Sequence, residues 1–328
     1  MGIQHRLAAA YLPRLLEARA YRRATHPRVT VLMYHEVLPD ELDIPSWLVV
    51  REARFRRQMR YLKRHFRVLS LDAALDYMAT AASQVKARRP PAVITFDDGY
   101  AGNFSCALPI LQELRLPFTV YVSTAMLAEG GRFWHDRIIA ALITAGRGRL
   151  SIETSAGTLE YSGSARLDAR RWAGIERILT RLKDLAPAER EAIADRLDPD
   201  VKIPALRMMT PAELHELSAS PLVTIGNHTH AHELLDQLDN DSAAATILQA
   251  QTLLEEWTGR RPVHFAYPNG NYVGETAALV ERLGMSTAVT GRSRPWLETD
   301  ALFEIPRIGI GRFDNLNLFR ARMCGLLQ

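Results

Sequence analysis

Two short stretches of this chain carry residue types whose spacing suits hydrolytic chemistry. Thr95-Phe96-Asp97-Asp98-Gly99-Tyr100 sets two adjacent carboxylates at the end of an apolar run, directly before a glycine. Adjacent carboxylates need a cation or a proton between them. The second stretch, Ile225-Gly226-Asn227-His228-Thr229-His230-Ala231-His232, follows the apolar run Leu222-Val223-Thr224-Ile225 and is rich in imidazole. One carboxylate and two imidazoles hold zinc and leave a position open for water. Successive side chains of an extended segment point to different sides, so the two aspartates do not readily serve one ion, and one is left free to take a proton. A lone Asp-Asp-Gly is ordinarily a solvated turn; its place after a buried strand, together with the histidine cluster, argues for a site.

The elements that must position these residues alternate along the chain. Val29 to His35 and Ala92 to Phe96 read as buried strands. Phe55 to Phe66, with a basic face, and Leu71 to Met78 have helical spacing, and Ala107 to Leu116 is helical before a strand over Pro117 to Val122. Asp136 to Thr144 is a further helix. Thr210 caps a helix over Pro211 to Leu217, and the Val223 strand follows. Ser242 to Trp257 is a long helix before the Val263 strand, and Gly274 to Leu283 and Ser286 to Val289 give the last helix and strand. This βα repetition favours a parallel barrel, whose chemistry gathers at the C-terminal ends of its strands. Residues 148–207 interrupt the pattern with a hairpin over Leu150 to Tyr161 and two charged helices over Arg171 to Leu197, broken near Pro187. Such an insertion serves either as a wall of the site or as a peripheral stabilising subdomain.

The two motifs together resemble the polysaccharide deacetylases of carbohydrate esterase family four, the NodB-homology fold. That resemblance implies an α/β fold, a distorted (β/α)7 barrel with an inserted helical segment. It also implies Asp97 as general base, Asp98, His228 and His232 as ligands of a divalent metal, and the backbone N–H of Tyr100 as oxyanion donor. Zinc suits a mixed His and Asp set, and nickel or cobalt would suit the same ligands. His230, two residues from either ligand histidine, is expected to face elsewhere. Further stretches extend the likeness. Val29 to His35 resembles the opening strand, Phe133-Trp134-His135-Asp136-Arg137 an element of exopolysaccharide-associated members, and Pro262-Val263-His264-Phe265-Ala266-Tyr267-Pro268-Asn269-Gly270 the third block, which walls the sugar site. Trp134, Tyr267 and Pro268 are thereby expected to touch substrate, and Arg307-Ile308-Gly309-Ile310 to close the barrel.

Two departures stand out. The third block lacks the arginine that orients the base in many members, so that role has no assigned residue. No histidine follows His264, so the usual terminal proton donor is absent. His35, at a strand end on the expected active face, is the first candidate for general acid, and His264 the second.

The chain of 328 residues, 47% hydrophobic, is long enough to bury one large core. Its two cysteines are too few for a disulfide framework. A net charge of +4 without interleaved aromatics argues against nucleic acid as a partner. Much of the excess lies in residues 1–28, where Leu7, Tyr11, Leu15 and Leu16 keep helical spacing among arginines. Residues 1–24 are expected to form a basic amphipathic helix, either packed on the barrel base or lying on an anionic membrane face. No run long enough for a secretory signal or a membrane span occurs, which points to a cytoplasmic enzyme, peripheral at the inner membrane face if that helix binds lipid. The expected domains are therefore residues 1–28 and a barrel over 29–328 with its insertion at 148–207. The expected activity is metal-dependent removal of the N-acetyl group of an amino sugar in a glycan or glycan precursor, in exopolysaccharide biosynthesis. The same site would serve an O-acetyl esterase, a deformylase or another amide hydrolase, and a silent glycan-binding module is the alternative of a different class.

Overall fold

The computed structural model describes residues 28–42, 44, 46–80, 89–146, 148–164, 169–197 and 206–326. The basic helix expected at residues 1–24 lies outside them. In chain order the strands are β1 (Arg28–Tyr34), β2 (Glu36–Leu38), β3 (Val49–Arg51), β4 (Arg67–Val68), β5 (Pro91–Phe96), β6 (Phe118–Val122), β7 (Arg149–Thr154), β8 (Gly157–Ser162), β9 (Val223–Asn227), β10 (His264–Ala266), β11 (Thr287–Val289), β12 (Trp296–Leu297) and β13 (Ile308–Gly309). Two compact units emerge. One takes in the described residues of Met1–Asp43, Trp47–Glu129 and Met208–Gln328, the other those of Ile44–Ser46 and Gly130–Arg207.

The first unit is built on a curled parallel sheet. Every residue of β5 and of β6 is buried, as a parallel strand covered on both faces requires. Among the described residues the sheet has nine strands, of which all but the short flanking β4 and β12 form one parallel run in the order β13-β1-β5-β6-β9-β10-β11. Its ends meet through the segment 305–310. The Ile305 N–H bonds the Ala288 carbonyl at 3.0 Å, the Thr290 N–H bonds the Ile305 carbonyl at 2.8 Å, and the Ile310 N–H bonds the Met33 carbonyl at 2.9 Å. The expected barrel is therefore present, and the Arg307 stretch closes it.

Register sets where the chemistry falls. Tyr34 lies opposite Phe96, Phe96 opposite Val120, Val122 opposite Asn227, and Asn227 opposite Phe265. The residues that leave these strands, His35, Asp97 and His228, consequently emerge at one end of the sheet.

Helices cover the outside of the sheet. The helix Glu52–His65 buries Phe55, Gln58, Met59 and Leu62, a single stripe at helical spacing, and ends on Lys63, Arg64 and His65, which complement the negative end of its dipole. Burying the Phe55 or Leu62 side chain contributes roughly 1.5–3 kcal/mol, so Phe55→Ala would loosen this helix first. Thr210 caps the helix Pro211–Ser218 as expected, and Glu213 completes a reciprocal capping box with it. Asp239 caps Asn240–Thr258 through the Ser242 N–H. Short elements escaped the sequence reading: the paired β2 and β3, the helices Thr124–Glu129 and Leu316–Met323, and a π-helical turn over Asn103–Ala107 that opens the helix expected from Ala107. Cys106 and Cys324 are buried and unpaired with each other, as expected.

The second unit holds the helix Trp134–Thr144, the β7–β8 hairpin turning at Thr154 and Gly157, and the helices Ala169–Lys183 and Pro187–Leu197. It starts at Gly130, earlier than the expected 148, because the helix Trp134–Thr144 packs on Pro187–Leu197 instead of joining the barrel alternation. Buried Arg171 draws its pieces together, donating to the Tyr161 hydroxyl and to the carbonyls of Ser164, Leu142 and Ile143. The last two are C-terminal carbonyls of Trp134–Thr144, the groups a helix leaves unpaired.

Candidate active site

The strand end of β5 delivers the two aspartates in different directions. Asp97 continues the strand, its N–H bonding the Tyr34 carbonyl at 3.0 Å. Asp98 then turns left-handed, at φ 76°, and Gly99 follows at φ 87°. A left-handed aspartate is uncommon, and glycine takes that conformation without steric cost. The reversal points the two carboxylates apart, as the sequence predicts.

Asp98 meets the histidines. Its Oδ1 lies 3.4 Å from Nε2 of His228 and 3.5 Å from Nε2 of His232. One ligating atom from each of the three residues falls within 4.8 Å of the others, and this is the only such His, Cys and carboxylate group among the described residues. His228 follows β9, held by its N–H on the Val122 carbonyl and by the Ser123 hydroxyl on its own carbonyl. Its Nδ1 sits 2.7 Å from the Ala266 carbonyl. A carbonyl only accepts, so Nδ1 carries the proton and Nε2 presents its lone pair toward Asp98. Thr229 and His232 are also left-handed, at φ 63° and 58°. Strain of this kind, of order 1–3 kcal/mol per residue, persists where the surroundings over-determine the backbone. Burial pushes the Asp98 carboxyl up, but the neighbouring His228 and His232 imidazoles outweigh it and hold the group well below the usual carboxylate range. A buried anion facing the Nε2 atoms of two imidazoles fits a divalent ion.

Asp97 is held by a residue that the sequence analysis left unassigned. Arg307 donates Nη1 to Oδ1 and Nη2 to Oδ2, each at 2.6 Å, a bidentate pair with both side chains buried. The same guanidinium donates to the Thr95 hydroxyl and the Thr290 carbonyl and lies over the Tyr121 ring at 5.5 Å. The role absent from the third block is filled from the closing strand. The signal was an arginine opening an otherwise apolar strand, because a buried guanidinium demands an anionic partner. Burial raises the Asp97 pKa, and the charge of Arg307 more than reverses this, keeping the group below its ordinary value.

Both general-acid candidates are now placed. His35 sits where β1 ends, its ring edge-on to Trp47 at 5.2 Å and its Nδ1 buried without a hydrogen-bond partner among the described residues. Burial lowers its pKa, and the charges of Asp98 and Asp97 push the other way. His264 is corrected. It begins β10, at the opposite end of the strand, with Nε2 on Asp72 Oδ1 at 3.0 Å and Nδ1 on the Thr287 hydroxyl at 2.9 Å.

Of the remaining residues, Tyr100 is buried and bridges Met208, and the Gly99 carbonyl before it accepts the Met209 N–H at 3.0 Å. His230 faces away from the ligands as expected, bonded to Thr124 and Gln249. Tyr267 is corrected as a sugar wall. Its ring is buried among Leu235, Ile247 and Phe265, and its hydroxyl donates to the Phe303 carbonyl. Pro268 is buried beside it. Trp134 belongs to the second unit, where the Arg190 guanidinium lies 5.5 Å over its ring.

A family model, polysaccharide deacetylase, matches residues 84–288. The chain belongs to the polysaccharide deacetylase family. Its members are hydrolases that act on carbon–nitrogen bonds. Solved structures share the fold of this deacetylase. The deacetylase PplD of Streptococcus pyogenes superposes with a TM-score of 0.60 at 17% identity, covering 91% of this chain and 99% of that one. IcaB from Ammonifex degensii gives 0.59 at 18%, covering 92% and 98%. The polysaccharide deacetylase BC0361 from Bacillus cereus gives 0.58 at 17%, covering 91% and 69%. No curated protein matches the sequence.

Proposed function

We propose that this deacetylase is metal-dependent and removes the N-acetyl group from an amino sugar within a glycan or glycan precursor, in the manner of the exopolysaccharide-associated members. The observation that carries the reading is one compact constellation, in which three ligating atoms of Asp98, His228 and His232 lie within 4.8 Å of one another and Arg307 holds Asp97 at the same strand end. Asp98, His228 and His232 would hold the ion. When bound, a divalent metal such as zinc supplies Lewis acidity to a water and to the acyl carbonyl.

The protein groups do the rest. Asp97 keeps carboxylate lone pairs beyond the two that Arg307 occupies, and with them it takes the proton from the attacking water. Its depressed pKa keeps it ionised and ready at neutral pH. The Tyr100 backbone N–H donates to the oxyanion as the carbonyl carbon becomes tetrahedral. His35 gives a proton to the departing nitrogen. That last role favours an amide, because an amine leaves poorly unless protonated and an alkoxide from a sugar ester needs less help.

The test is acetate release from a panel of N-acetylated and O-acetylated glycans and precursors by zinc-loaded enzyme, beside Asp97→Asn and His228→Ala. Release from N-acetyl substrates, lowered by about 10²–10⁴-fold in Asp97→Asn and lost in His228→Ala, is expected. Release confined to O-acetyl substrates would replace the reading with an esterase. Tight glycan binding without product, at full metal occupancy, would replace it with a binding role.

A further inference from the structure

His35 and the Asp97–Tyr100 loop leave different strands, yet the proposed chemistry requires them to be held to one another closely, since small displacements of reacting groups cost rate steeply. The turn that follows the loop supplies the connection. The Asn103 N–H bonds the Tyr100 carbonyl at 3.0 Å. Residues Asn103–Ala107 then form a π-helical turn, with the Leu108 N–H on the Asn103 carbonyl, a widened geometry found often at functional sites. Asn103 is fully buried, and its Nδ2 donates to the His35 carbonyl at 2.7 Å. The Oδ1 of the same amide has no partner among the described residues. A buried amide serving packing alone is normally satisfied at both ends. Among the described residues, only the end that faces His35 is bonded.

Gly102 reinforces the contact. A Cβ there would fall 2.0 Å from Oε1 of Glu36 and 2.0 Å from the Val37 carbonyl, so the turn lies directly against the two residues after His35. On its other side that segment is tied by the Glu36 N–H to the Leu48 carbonyl at 3.1 Å and by the His35 ring on Trp47.

We propose that Asn103 is a positioning residue for His35, tying the His35 carbonyl to the turn that follows the oxyanion loop and so fixing the imidazole relative to the departing nitrogen. The proposal rests on the reading of His35 as proton donor, and it is separable from that reading by the choice of leaving group. An amine must be protonated as it leaves, whereas the phenolate of an aryl acetate leaves without a proton.

The experiment compares wild type, His35→Ala, Asn103→Ala and the double variant, all zinc-loaded, on an N-acetylglucosamine oligomer and on para-nitrophenyl acetate. Asn103→Ala is expected to lose about 10- to 100-fold in kcat on the glycan with KM within about 2-fold, and under about 3-fold on the aryl ester. His35→Ala loses about 10²–10⁴-fold on the glycan and far less on the ester. In the His35→Ala background, removing Asn103 costs nothing further, the non-additivity of residues that act through one group. Retained ester turnover reports an intact fold and a loaded site. If Asn103→Ala does not fold, the isosteric Asn103→Asp, which sets an acceptor against the His35 carbonyl, takes its place. Equal loss on both substrates, no loss on the glycan, or a double variant worse than His35→Ala overturns the positioning role. Equal loss on both substrates in His35→Ala itself overturns the proton-donor reading, and the role of Asn103 falls with it.

Discussion

The two ends of the barrel strands each bury imidazole beside carboxylate, and they treat the pair in opposite ways. At the base, His264 is bonded at both ring nitrogens, to Asp72 and to Thr287, and joins the helix Leu71–Thr80 to β10 and β11. At the active end, Asp98 Oδ1 and His35 Nδ1 are buried without hydrogen-bond partners among the described residues, and Asp98, Thr229 and His232 hold left-handed backbone. Polar groups arranged for stability satisfy one another, and groups arranged for chemistry keep valences open at a cost in strain. Arg307 stands between these cases. Its bonds are complete, yet they serve to hold Asp97 in place.

This contrast separates activity from stability in four ways, taken from the largest expected effect. Stripping divalent metal with a chelator should abolish acetate release, with restoration on adding zinc; His228→Ala should show the same loss with thermal stability equal to or above the metal-free wild type, as relief of a strained site allows. A large fall in its melting temperature would place His228 with the structural histidine instead. Arg307→Ala should lose both properties, lowering stability by about 3–5 kcal/mol because it leaves Asp97 buried and unpaired, and cutting kcat as well; urea unfolding and kinetics on the same sample check this. Arg307→Lys, unable to make the bidentate pair, should recover only part of each.

At the other end, His264→Ala should lower the urea midpoint, by about 2–4 kcal/mol in stability from the cavity and the stranded hydroxyl of Thr287, while kcat per folded molecule stays at the wild-type value. A fall in kcat would return His264 to the chemistry. Asp72→Asn is the mildest change. The hydrogen bond from His264 holds the Asp72 carboxyl below its ordinary value, against burial, which raises it. The folded pKa thus lies under the unfolded value of about 3.9, so the ionised group's contribution is present above that value and disappears as pH falls through the folded one. The difference in urea midpoint between wild type and Asp72→Asn should accordingly be small at pH 7, as suits a side chain largely in water, and should vanish toward pH 3. A difference independent of pH across that range would assign the Asp72 effect to shape and not to charge.

The Asp98, His228 and His232 cluster and the adjacent Asp97 were legible because each lies in a short contiguous motif behind an apolar strand, where local chemistry and periodicity coincide. Asp97-Asp98 and His228 to His232 declare a site before any contact is known, and the alternation of strands and helices around them declares the barrel. The partner of Asp97 lies 210 residues further along the chain. The local signal, an arginine opening an apolar strand, calls for an anionic partner without naming which one. His264 shows the complementary error. Which end of a short strand a residue occupies turns on a boundary of one or two positions, and that shift moves the side chain from the active face to the base. Tyr267 was misjudged for a related reason, since its block does run to the active end but its own side chain turns into the cluster with Phe265 and Ile247.

The sequence alone therefore determined the donor set, the order of elements and the class of reaction, all of which depend on residue type and on neighbours in the chain. The tertiary structure alone decided which arginine grips Asp97, which of His35 and His264 lies at the strand end that carries Asp97 and Asp98, and how Asn103 reaches His35. Those contacts depend on strand order and register, which the packing of the whole sheet sets and no short stretch of sequence encodes.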